Sequence, residues 1–140
     1  MTFSRLPRTV VPRRYDLLIE PDLATSTFVG EETIHVTVCE TTAEIVLNAA
    51  DLTIRSAAIE GDGRRLTGSV TMDEAAERAV LRFPEPLRAG SWRLLLQFSG
   101  ILNDKLHGFY RSTFTRDDGS QGALAVTQFE ATDARRAFPC

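Results

Sequence analysis

Histidine and cysteine are scarce in this chain of 140 residues, two of each, and their scarcity excludes much chemistry. A zinc site needs three or four converging ligands. His35, His107, Cys39 and Cys140 lie far apart in sequence, and neither histidine opens a His-Glu-x-x-His motif. No metal site is expected within this chain. Nucleophiles fare no better, for there is no Gly-x-Ser-x-Gly elbow. On a strand, Cys39 and His35 would share a face about 13 Å apart, too far for a dyad. Cys39 is read as a half-buried small residue. The order Cys39, Trp92, Cys140 does not fit an immunoglobulin signature, because the Trp lies far from the first Cys. A Gly-rich phosphate loop and an Asn-x-Ser/Thr acceptor are also missing. Met1 to Arg8 holds no apolar signal core, and no run is long enough to span a bilayer. Two cysteines, one of them terminal and expected to fray, make a weak disulfide case, so a reduced, cytoplasmic compartment is expected. The net charge of −3 gives no electrostatic case for nucleic acid or an anionic membrane. The arginine pairs at 13–14, 64–65 and 135–136 read as solvated faces or local ion pairs.

What is present is strand. At this length the chain reads as one domain, residues 1–140. Phe28 to Val38 alternates most clearly, with Phe28, Gly30, Glu32, Ile34, Val36 and Val38 on one face. Tyr15 to Glu20, Ile45 to Leu47, Leu52 to Ile59, Leu66 to Met72, Ala79 to Phe83, Trp92 to Phe98 and Leu124 to Glu130 read as further strands. Turns are signalled at Asn48-Ala49-Ala50-Asp51, Gly61-Asp62-Gly63 and Asp118-Gly119. Pro84-Glu85-Pro86 is expected to break a strand. Asp73 to Arg78 reads as a loop, and Met1 to Val11 as an extended tail. Thr132 to Phe138 suggests a helical turn capped by Thr132, which Pro139 keeps short. The fold class expected is all-β: a sandwich or saddle-like pair of sheets with a short C-terminal helical turn.

The candidate site lies near the C-terminus. Alternation places Gln128 and Glu130 on one face of the last strand, with Phe129 on the other. Such a pair is either a polar face in water or a carboxylate presented to a cleft. Arg135 and Arg136 follow within reach of a neighbouring carboxylate.

The run Val126-Thr127-Gln128-Phe129-Glu130-Ala131-Thr132-Asp133-Ala134-Arg135-Arg136-Ala137-Phe138-Pro139-Cys140 resembles a signature of the aminopeptidase N-like zinc metallopeptidases. Gly100 to Asp104 and Gly108 to Ser112 resemble the segment before it. Leu6-Pro7, Pro12 to Leu17, Phe28-Val29-Gly30 and Ile45 to Leu52 fit the same family in order. The resemblance implies an N-terminal β-saddle domain, here incomplete, that caps a thermolysin-like catalytic domain. It also implies that Glu130 binds the free α-amine of a peptide substrate and that Gln128 lines the pocket for the first side chain. A charge-assisted hydrogen bond to an α-ammonium suits a carboxylate. The family's zinc motif, general base and transition-state tyrosine would all lie beyond residue 140. The chain alone is therefore expected to be inactive and free of zinc, with zinc belonging to a full-length relative. Its expected partner is a peptide with a free N-terminus. Self-association through an uncovered strand edge is also expected. Two other functions remain open, a non-catalytic β module for protein contacts and an epoxide-hydrolase variant of the same fold.

Overall fold

The computed structural model describes residues 6–102, 108–128 and 134–140, with the backbone alone at 108–111 and 128. Ten strands follow in order: β1 (Val10–Asp22), β2 (Thr27–Val38), β3 (Thr42–Asn48), β4 (Leu52–Gly61), β5 (Arg64–Thr67), β6 (Ser69–Asp73), β7 (Arg78–Leu87), β8 (Gly90–Ile101), β9 (Gly108–Thr115) and β10 (Gln121–Gln128). A 3₁₀ turn, Ala134–Arg136, comes last. β1-β2-β8-β4-β5 form one sheet, β3-β7-β6 a second, and β9-β10 a two-stranded ribbon. The strand pairs described are all antiparallel. The domain is all-β and sandwich-like, as the alternation predicts.

The two larger sheets share one core. Period-two alternation sends Phe28, Ile34, Ile59, Leu94, Leu96 and Phe98 inward from the first sheet. From the second come Ile45, Leu47, Ala79, Leu81, Phe83 and Leu87. Burying each of the larger side chains contributes about 1.5–3 kcal/mol, so this layer is the main source of stability. Two glycines let β2 and β8 pack. Phe98 lies across Gly30, and Phe28 across Gly100, in the same β2–β8 register. The two rings meet edge to face at 6.5 Å.

Several expectations need correction. Val10 and Val11 are not tail but the first residues of β1. β1 sits at the edge of its sheet, where prolines such as Pro12 and Pro21 are tolerated. Leu66 to Met72 is not one strand. It divides at Gly68 into β5 and β6, which belong to different sheets. Pro84 and Pro86 do not end β7, although β7 is the central strand of its sheet. β3 skips from Arg82 to Leu87 across an irregularity at Thr42/Glu44, and β6 pairs only from Arg78 to Arg82, so the prolines fall where no ladder partner is needed. Cys39 is exposed and lies just past β2 rather than half-buried within it. The turn at Asp62-Gly63 does form, with φ of 50° and 68°, and joins β4 to β5.

Candidate functional site

β10 delivers the candidate site. Its register against β9 runs from Gln121↔Thr115 to Gln128↔Gly108, so the backbone of Gln128 ends a paired strand. Glu130 lies outside the described residues, as do Phe129 and Thr132. Chain is described again from Ala134, and there it is fixed firmly to the sandwich.

Three kinds of contact hold this returning segment. Backbone bonds come first. Asn48 and Cys140 exchange two, N to O at 2.6 Å and 2.9 Å, and the Ala50 amide donates to the Arg135 carbonyl at 3.0 Å. This extends the line of β3 with a short strip of C-terminal chain. Apolar burial comes second. Ala137 and Pro139 are buried, and Phe138 meets Tyr15 of β1 edge to face at 5.8 Å. Charge comes third. Arg135 reaches Glu77 at 3.4 Å, and Arg136 reaches Glu77 at 3.1 Å and also pairs with Asp51. Asp51 and Glu77 both adopt left-handed backbone, φ 58° and 54°. These are strained positions for non-glycine residues, and each sits in a turn beside an arginine. Cys140, expected to be frayed, is half-buried and pinned through Asn48.

Beside this segment lies an acidic group that sequence reading placed correctly on the apolar face but left without a role. Glu32 is 3% exposed, and neither carboxyl oxygen has a hydrogen-bond partner in the described structure. Burial pushes its pKa up to about 8. Burial, then the nearby Glu32 charge, raises the Cys140 thiol to about 11, Arg135 acting the other way. Burial raises the Tyr15 hydroxyl to about 12, with Cys140 and then Glu32 adding to it. The signal for Glu32 was in the alternation itself, a lone acid among inward positions.

The outer face of the five-stranded sheet holds a shallow groove of about 350 Å³, lined in part by Asp16, Leu18, Glu31, Arg65 and Gln97. Several of its charges are engaged. Asp16 accepts from His35 at 3.0 Å and from Arg14 at 2.8 Å, which lowers its pKa, His35 contributing most. Arg65 pairs with Glu60. Thus His35 is a hydrogen-bonded surface histidine. Among the described residues, no three His, Cys, Asp or Glu side chains converge as a metal site would require.

The whole sandwich, from β1 to the pinned C-terminal strip, matches one family model, the Peptidase M1 N-terminal domain, over residues 11–140. The chain belongs to that family and is an aminopeptidase N-like N-terminal domain. It is 45% identical to Aminopeptidase M1 of Arabidopsis thaliana over 141 residues, covering 97% of this chain and 16% of that protein. It is 42% identical to Aminopeptidase 2 of Candida albicans, covering 96% of this chain and 14% of that protein. Endoplasmic reticulum aminopeptidase 1 of Homo sapiens is 40% identical, with 97% and 15% covered. The chain therefore spans about a sixth of the length of these curated relatives. No helix among the described residues is long and apolar enough to cross a membrane.

Proposed function

We propose that this chain is the substrate-anchoring N-terminal portion of a zinc aminopeptidase, which removes N-terminal residues from peptides. In this reading Glu130 receives the substrate's free α-amine, and Gln128 lines the pocket for the first side chain. The observation that carries it is the anchoring of Ala134 to Cys140. Ion pairs, a backbone strip and a buried Ala-Phe-Pro run hold that segment immediately after the Gln-Phe-Glu sequence. Binding groups work best when rigid elements tether the chain that bears them. β10 tethers the chain on one side and the pinned strip on the other. A carboxylate in that stretch selects peptides with an uncapped N-terminus through a charge-assisted bond. The metal, the activated water and the proton-transfer groups would come from the remainder of a family-length protein.

The test is Glu130→Ala in the full-length enzyme, assayed on aminoacyl-nitroanilides. Loss of a bond to a charged group, about 1.5–3 kcal/mol, predicts a fall in kcat/KM of roughly ten- to a hundredfold. Gln128→Ala should change the ranking of first side chains instead. Unchanged kinetics with Glu130→Ala would overturn the anchor role, whereas an unmodified full-length protein without activity would favour a non-catalytic module.

A further inference from the structure

We infer that Glu32 is the receiving end of an ion pair with a basic side chain, brought by polypeptide beyond these 140 residues in the family-length protein and laid over the Tyr15–Leu17 strip of β1. The inference does not depend on the amine-anchor reading, since Glu32 lies in the sandwich interior rather than on β10. Glu32 is the one buried charged residue among those described, and both its oxygens lack a partner. Native interiors seldom tolerate that, because a buried carboxyl without a partner forfeits its full hydration. Among the described residues, its neighbours do not supply the missing partner. Leu17 and Leu96 stand opposite it on β1 and β8. Among the described residues, Tyr15 and Cys140 feel its charge, and neither is cationic. Arg135 is held by Glu77.

The adjoining surface has the form a basic side chain needs. Leu17 is the cross-strand partner of Glu32 and shares its face, yet it is 40% exposed. Tyr15, two residues away on that face, is 37% exposed. An arginine or lysine covers apolar surface with its stem while its head seeks a charge. Here the stem would lie on Leu17 and the Tyr15 ring, and the head would meet Glu32. A guanidinium would satisfy both oxygens at once. The relatives are about six times as long as this chain, so a family-length protein has polypeptide to bring there.

The experiment compares Glu32→Leu in the 140-residue chain and in the full-length product of the same reading frame. In the short chain the substitution removes an unpartnered acid, and Tm should rise. In the full-length protein it strands a buried cation, and Tm should fall. A rise in both, or a reading frame that ends at Cys140, overturns the inference. Should the variant fail to fold, carboxyl carbon-13 titration of Glu32 in the unmodified proteins decides. The pKa should be near 8 in the short chain and below the ordinary glutamate range in the long one. A pKa that stays raised in the full-length protein overturns the inference.

Discussion

Arg136 of the C-terminal turn holds the Glu77 carboxylate at 3.1 Å, bridging 59 positions of sequence. Glu77 is shared with Arg135, and Arg136 is shared with Asp51. The four side chains form a network rather than an isolated surface pair, which is the circumstance in which ion pairs contribute measurably. Glu77→Ala should destabilise the chain by about 1–2 kcal/mol, after allowance for the partial exposure of the group. The loss should be local. Amide exchange at Ala50 and Cys140, whose N–H groups bond across this junction, should accelerate more than exchange in β2 or β8. Uniform acceleration would mean that the network has no particular hold on the segment.

Stability should depend on pH through Glu32. Its folded pKa, about 8, lies above its ordinary value of 4.5. The folded state therefore binds more protons between those values, and stability falls as pH rises through that window. Below pH 4.5 the contribution is complete, and above about pH 8 it is gone. Urea midpoints of the 140-residue chain should accordingly be lower at pH 8.5 than at pH 6. Glu32→Gln should flatten that slope. An unchanged slope in the variant would assign the dependence to other groups.

Gly30 should not tolerate a side chain. A Cβ there would come within 2.4 Å of the Phe98 ring, which is 1% exposed. Gly30→Ala should cost about 1–3 kcal/mol, the range for overpacking a filled core. Gly30→Ala with Phe98→Leu should recover part of that loss, since the two sites share the space. Additive losses in thermal unfolding would show that the contact is not what fixes the glycine.

The β9–β10 ribbon should mediate self-association of the short chain. Among the described residues it pairs with neither larger sheet, and Phe114 and Leu124 are 39% and 52% exposed on it. Unpaired strand edges with apolar side chains invite a second chain. Light scattering should show a concentration-dependent mass that Leu124→Lys reduces. A monomer at all concentrations would mean that the ribbon edge is already protected.

Much of this fold was legible because a strand's period is two. Phe28 to Val38 and Trp92 to Phe98 alternate so regularly that facing and burial follow from the residues alone. The Asp62-Gly63 turn was legible because its backbone demands residues that accept positive φ. Glu32 was legible as an inward acid for the same reason as its apolar neighbours. What alternation cannot carry is which strand lies beside which. β8 enters between β2 and β4, far from both in sequence, and nothing local to Gly90–Ile101 specifies that place. The same limit hid the split at Gly68, the harmless prolines of β7 and the partners of Arg135 and Arg136. The arginine pair read as a solvated face or a local ion pair near some carboxylate, without saying which, and Asp51 and Glu77 looked like turn residues. Only folding brings the turns at 48–51 and 74–77 against the C-terminal strip. The sequence by itself determined most of the strands, their faces and the family motif, because those depend on neighbours along the chain. The tertiary structure alone decided the pairing order, the ion-pair network and the isolation of Glu32, because those depend on charges and surfaces that meet across tens of residues.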